Sequence, residues 1–269
     1  MSRRRIILIP PSEGKALGGE GPPWQQSPGA LGHPLYERRR EVAHALVEML
    51  EGGTGSATPG SLERFFGVGG EALVRARDAG ADVNDAATLP AIERYDGVLY
   101  QHLDAVTMTA GQQARLTRSV RILSGLWGVV APDELIPDYR LKMSVSLGAL
   151  GKLSTWWRPA VTDLIAALAR GAELWNLLPQ EHAAALGPTG HRVVNTAVFL
   201  EPNRAGELRP VSHWNKALKG ALVSHLVRNP AATPGDLLDW EHPGGYRLQH
   251  ESLEPIDGVR ALRFVALGR

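Results

Sequence analysis

Five residues near the start of the chain, Arg5-Ile6-Ile7-Leu8-Ile9, run directly into Pro10-Pro11. A short apolar run, stopped by two prolines that cannot donate to a ladder, reads as a buried strand. Such a strand needs neighbours beside it and other elements packed over it, so the opening residues already demand a layered core. The strand leads into Ser12-Glu13-Gly14-Lys15, whose Gly-Lys pair suggests a phosphate-binding loop. The remaining parts of a Walker loop are missing. The position five residues before Gly14 is Ile9, Ala16 follows the lysine, and the glycine- and proline-rich residues after it cannot continue as a helix. Gly14, Gly18, Gly19 and Gly21 also lack the Rossmann spacing and open no helix.

Residues 18–34 hold five glycines and four prolines and read as an irregular loop. Leu35, Val42, Leu46, Val47 and Leu50 then recur at helical spacing, closed by Gly52-Gly53. A polar turn is expected over 51–60, followed by helical patterns at 62–79, 87–94, 97–104 and 110–119. Arg121-Ile122-Leu123 is a short strand candidate. Residues 154–170 form an amphipathic helix: Ser154 can cap it, and Trp157, Val161, Leu164, Ile165 and Leu168 line one face. Strands are expected at 173–178, 192–200 and 208–212, a helix at 213–227, and a final hairpin from 246–250 and 260–265. Strands and helices mix without regular alternation, so the expected class is α+β rather than a doubly wound sheet. No internal repeat or linker divides the chain, which reads as a single domain over residues 1–269.

Composition excludes several kinds of chemistry. A 269-residue chain buries roughly 70–75% of its unfolded surface, enough for a large core. With 29 lysines and arginines against 28 aspartates and glutamates, the net charge is +1, so there is no whole-molecule basic field for nucleic acid. Cysteine is absent, which removes disulfides, thiolate nucleophiles, iron–sulfur clusters and thiolate-bound zinc. The arginines before Ile6 mimic the start of a signal peptide, but Pro10, Pro11 and Glu13 interrupt the apolar segment. No window approaches the ~20 apolar residues of a membrane span, so a cytoplasmic protein without a membrane partner is expected. The nine histidines are scattered. Glu181-His182 and Glu241-His242 are adjacent rather than spaced along one helix face, so neither a metal nor a cofactor is expected. No Gly-x-Ser-x-Gly elbow occurs, and Ser124 has no recognisable base.

Five basic residues are lysines: Lys15, Lys142, Lys152, Lys216 and Lys219. In so arginine-biased a chain, these retained ammonium groups are candidates for sites that need a compact point charge. Most lie within a set of polar residues embedded in apolar or glycine-rich contexts: "PPSEGK", "YDGVLYQHL", "RILSGLWGVVAPDELIPDYRLKM", "LSTWWR", "LWNLLP" and "SHWNKALKG". From residue 7 to about 246, the order and spacing of these motifs resemble those of the bacterial peroxide stress protein YaaA family. The resemblance implies a compact α+β fold particular to that family. It also implies a cytoplasmic protein that limits iron-driven oxidative damage, and sequence-independent DNA binding through a helix-hairpin-helix-like element. By position that element is residues 121–135, where Ser124, Gly125 and Gly128 would offer backbone N–H groups to phosphate.

Carried over by position, Ser12, Glu13 and Lys15 fall in the family's opening loop and Tyr100 matches the tyrosine of a glycine-containing segment, with Tyr95 in the aromatic place before Gly97. Tyr139 and Arg140 match a Tyr-Arg-Leu segment, Trp157 the tryptophan that follows it, Asn176 an Asn-Leu segment and Lys216 a lysine. Lys219 stands where arginine is common. Lys142 stands where glutamate is frequent, and Pro179 and His182 replace a serine and a tyrosine. Two functions compete. One is a DNA-binding protein of the oxidative-stress response that uses the hairpin and a cationic cleft. The other is an enzyme for a small anionic, nucleobase-like or nucleotide-like ligand. In that case Lys15, Arg140, Lys216 and Lys219 clamp the anion, Tyr100 or Glu13 handles protons, and Trp157 stacks a ring. A buried hydrogen-bond network without a ligand is the third possibility, at the cost of unmatched cations.

Overall fold

The computed structural model describes residues 4–52, 59–211 and 214–267. Its strands are β1 (Arg5–Ile9), β2 (Leu89–Pro90), β3 (Val120–Ser124), β4 (Gly128–Val130), β5 (Leu135–Ile136), β6 (Glu173–Asn176), β7 (Val194–Pro202), β8 (Leu208–Pro210), β9 (Tyr246–Leu248) and β10 (Val259–Ala266). Its helices are α1 (Tyr36–Glu51), α2 (Pro59–Phe66), α3 (Gly70–Ala81), α4 (Ala91–Arg94), α5 (Val98–Leu103), α6 (Ala110–Ser119), α7 (Leu153–Leu168), α8 (Gln180–Ala183) and α9 (Asn215–Arg228).

Eight strands form one sheet in the order β4-β3-β1-β6-β7-β10-β9, with β8 paired to β7. The five central strands run parallel: β1 pairs with β3 through Ile7 and Val120, and with β6 through Arg5 and Glu173. β7 continues the set between β6 and β10. Antiparallel β4, β9 and β8 complete it, and the expected C-terminal hairpin is present as β9–β10. Every residue of β1 is buried, as a strand covered on both faces requires. Helix α6 packs on β1 and β3 and α9 on β7, while α6 and α5 both pack against α9; α7 lies against β4.

This mixed architecture agrees with the α+β reading, but its parallel centre was hidden by irregular connections. The patterns at 62–79 and 87–94 each divide, the first into α2 and α3 and the second into β2 and α4. Residues 53–58 of the expected polar turn lie outside the described residues, as do Ser212 and His213 between the expected strand and helix. The larger correction concerns residues 121–135. They form the antiparallel hairpin β3–β4 followed by β5, not two helices around a hairpin. No described helix is long and apolar enough to cross a membrane.

Candidate functional site

Parallel strands present their carboxyl ends along one edge, and there the predicted polar residues meet. The Ser12–Lys15 loop leaves β1, the Ser124–Gly125 turn leaves β3, and the Asn176–Leu177 segment leaves β6. The opening loop is pinned to the segment before α5. Ser12 Oγ donates to the Asp96 carbonyl at 3.1 Å, Asp96 N–H donates to the Gly14 carbonyl at 3.0 Å, and a Cβ on Gly97 would stand 2.1 Å from Ser12 Oγ.

Lys15 is 8% exposed. Its ammonium donates to the Ser12 carbonyl at 3.0 Å and lies 4.2 Å from the centre of the Tyr139 ring and 5.7 Å from that of Tyr95. Desolvation brings its pKa down to about 7; Asp138 and Glu13 oppose the shift, and Arg140 and Arg75 reinforce it. Behind it runs a hydroxyl chain, with Tyr95 and Tyr139 oxygens 2.7 Å apart and Tyr139 and Ser124 oxygens also 2.7 Å apart. Ser124 Oγ accepts the N–H groups of Leu126 and Trp127, each at 3.2 Å. Its own proton is therefore directed to Tyr139, and the Tyr139 proton to Tyr95. Burial pushes Tyr139 up to about 12 and Tyr95 and Tyr100 well above the usual phenol, so all three are neutral donors at neutral pH. Tyr100 donates to the Pro10 carbonyl at 2.9 Å.

Towards solvent, Glu13 is surrounded by cations. Arg140 reaches its carboxylate at 2.6 Å and Lys142 at 4.0 Å, while its side chain remains 63% exposed. Partial burial raises its pKa, but Arg140, Lys142 and Lys216 outweigh that effect and hold it below the usual carboxylate range. Glu13 is thus a carboxylate at neutral pH. A cleft of about 180 Å³ opens here, lined by Glu13, Lys15, Arg75, Asp138, Tyr139 and Arg140. Arg75 pairs with Asp138 at 2.8 Å and donates to the Lys15 carbonyl at 2.8 Å.

Lys219 and Asn176 sit at the carboxyl end of β6. Lys219 donates to the Leu177 carbonyl at 3.0 Å and its pKa is lowered by burial, while the Asn176 side-chain oxygen accepts Leu178 N–H at 3.1 Å. Lys216, on α9, is exposed. His182 of α8 is kept neutral chiefly by burial, with Glu181 opposing and Lys216 assisting, and its Nδ1 is buried without a hydrogen bond to the described residues.

The remaining candidates have structural places. Ser124, Gly125 and Gly128 lie in a turn buried throughout, which no DNA phosphate reaches. A Cβ on Gly125 would lie 2.6 Å from the Leu141 carbonyl oxygen. Gly128 has φ +68° with the Trp157 ring 2.7 Å from where its Cβ would be. Trp157 is fully buried and donates through Nε1 to the Gly125 carbonyl at 2.8 Å, so its ring has no face for a ligand. Trp157→Phe should lower stability by about 1–3 kcal/mol by orphaning that carbonyl, a loss to be read from urea unfolding. Sequence reasoning missed Arg75 and Asp138. Asp138 adjoins the Tyr-Arg-Leu motif and could have been included with it; Arg75 sits on a surface helix with no motif to mark it.

The fold and the site define a mixed α/β protein with a lysine-centred cationic site at the carboxyl edge of its sheet. Comparison with known families places the chain in the peroxide stress protein YaaA family, whose model matches residues 6–252. It is 34% identical over 261 residues to UPF0246 protein SCO2297 of Streptomyces coelicolor, covering 95% of each chain. UPF0246 protein CE1889 of Corynebacterium efficiens is 33% identical over 251 residues, which is 91% of this chain and 94% of that one. UPF0246 protein RD1_0358 of Roseobacter denitrificans is 30% identical over 209 residues, covering 74% and 80%.

Proposed function

We propose that this member of the peroxide stress family binds, and acts chemically on, a small anionic or nucleotide-like ligand at the cluster of Lys15, Arg140, Lys142 and Lys216. The observation that carries this reading is the Glu13 carboxylate. It is largely exposed, yet Arg140 holds it at 2.6 Å, with Lys142 at 4.0 Å and Lys216 acting on it as well. Three cations around one internal carboxylate leave an excess of positive charge that an entering anion can satisfy. Lys15, half deprotonated near pH 7, would be the proton acceptor or nucleophile, and Glu13 and the tyrosines keep their protonation states. Tyr100, bound to Pro10, and Trp157, bound to Gly125, hold the surrounding loops.

Titration calorimetry with a panel of nucleoside monophosphates tests the reading. Binding should weaken about tenfold in Arg140→Gln and in Lys216→Ala, as the loss of one charge-assisted contact predicts. Unchanged affinity in both variants would remove the site from consideration.

DNA binding is the second reading, favoured by Trp214. It is 64% exposed and lies two residues before exposed Lys216, a stacking face beside a cation that suits an unpaired base. On this reading the contact comes from the start of α9 and not from the β3–β4 turn. Limitation of iron-driven damage would follow from shielding the nucleic acid. Salt-sensitive binding of a labelled single-stranded oligonucleotide, lost in Trp214→Ala and retained in Arg140→Gln, would select this reading over the first.

A further inference from the structure

A second cationic site lies at the other end of β1, roughly 16 Å away along the strand at about 3.3 Å per residue. A pocket of about 310 Å³ is lined by Arg4, Arg5, Arg115 and Arg118, together with Ser119 and the end of α9, and no carboxylate of the described residues lines it. Part of this arginine cluster is structural. Arg5 donates to the Leu226 carbonyl at 2.7 Å and stands 3.5 Å from Glu173, and Arg115 Nε donates to the Val227 carbonyl at 3.0 Å. Both thereby satisfy carbonyls in the last turn of α9, where the helix dipole favours cations. Arg4 similarly donates to the carbonyls of Leu168 and Arg170, at 3.0 and 3.2 Å.

Arg118 has no such task. It is exposed at the end of α6, makes no hydrogen bond or ion pair with the described residues, and lies three residues from Arg115, so both project into the same pocket. Arg5 faces Glu173 and commits both terminal nitrogens to the carbonyls of Leu226 and Ala232, and Arg4 commits both of its own to Leu168 and Arg170, so the donors left for a ligand are those of Arg115 and Arg118. Arg115 is fixed through its Nε, which leaves its two terminal nitrogens for the pocket, and Arg118 stands beside it.

We propose that this pocket is a binding site for a small phosphate-bearing compound, separate from the Lys15 site. Guanidinium forks suit phosphate oxygens because each offers two parallel N–H donors, and two or more forks around one pocket favour a multiply charged phosphoryl group over a monovalent anion. A volume near 310 Å³ admits a pyrophosphate or a phosphorylated metabolite but not a duplex.

The test is titration calorimetry of the full chain with pyrophosphate at fixed ionic strength, in the parent, Arg118→Gln and Arg140→Gln. Arg118→Gln removes an unpartnered surface group and should fold normally, which its melting curve without ligand will verify. The expected result is saturable binding, weakened about tenfold in Arg118→Gln and changed less than twofold in Arg140→Gln. Absence of saturable binding, or equal affinity in the parent and Arg118→Gln, would overturn the proposal. Loss of binding in Arg140→Gln alone would transfer the pyrophosphate to the Lys15 site, and tighter, Arg118-dependent binding of a single-stranded oligonucleotide would make the pocket a nucleic-acid contact. Because the variants belong to separate sites, failure here leaves the nucleotide reading intact, and the reverse also holds.

Discussion

Gly125→Ala is expected to cost about 3 kcal/mol of stability, because the new methyl group collides with backbone that has no room to give. Its Cβ would lie 2.6 Å from the Leu141 carbonyl oxygen and 2.9 Å from the carbonyl carbon of Lys142. Relief requires moving the Tyr139–Lys142 segment, which carries the aromatic face under Lys15 and two of the cations around Glu13. The variant should therefore lose anion binding together with stability. Chemical denaturation and calorimetry on the same preparation will show this. A phosphate-contacting hairpin predicts the opposite pattern: impaired DNA binding on an undisturbed fold. Full stability in Gly125→Ala would contradict the packing described above.

The second large effect is a pH dependence centred on Lys15. Its pKa is about 7 in the folded protein against an ordinary 10.5, so between those values the unfolded chain binds more protons than the folded one. Stability must then rise with pH through that window, by up to about 1.4 kcal/mol per unit and roughly 3 kcal/mol between pH 7 and 10. Lys219, also lowered by burial, adds in the same direction. Above about pH 10 the buried tyrosines reverse the trend, because the unfolded phenols ionise while Tyr95, Tyr100 and Tyr139 resist. Lys15→Met isolates the lysine: it should be more stable than the parent at pH 7, with the gap closing by pH 10. Urea midpoints at pH 7, 8.5 and 10 measure this directly. A constant gap would mean that Lys15 is not the group responsible.

Much of the candidate site is legible because its residues are out of character with their surroundings. Lys15 follows a proline-bounded strand, Tyr139 and Arg140 sit among apolar residues, and lysine is scarce in a chain full of arginine. The elements of the fold were largely legible too, since β1, α7, α9 and the terminal hairpin follow apolar periodicity that survives tertiary packing. The direction and order of the strands were not. β6 and β7 are parallel neighbours joined through α8 and irregular chain, so the regular alternation that signals a parallel sheet never appears. The β3–β4 hairpin is hidden in the sequence for a related reason. "SGLWG" has the glycines of a phosphate-binding turn, and sequence alone does not reveal that Trp157 and Leu141 occupy the space in front of them. Trp157 itself shows the same limit: an aromatic in a polar motif looks like a stacking platform until its donor is found on Gly125.

The place of β1 in the sheet has a consequence for how the protein is made. Of the described strands it is made first, yet its hydrogen-bonding neighbours begin only at Val120 and Glu173. Until β3 has been made, the four apolar residues Ile6–Ile9 wait with both edges unpaired, which is the condition that invites wrong pairing between nascent chains. β1 gains its second neighbour only after β6 has emerged, and the sheet is complete only with β10. Completion of the sheet is therefore late, and a chain arrested before residue 173 leaves one edge of β1 without its native partner.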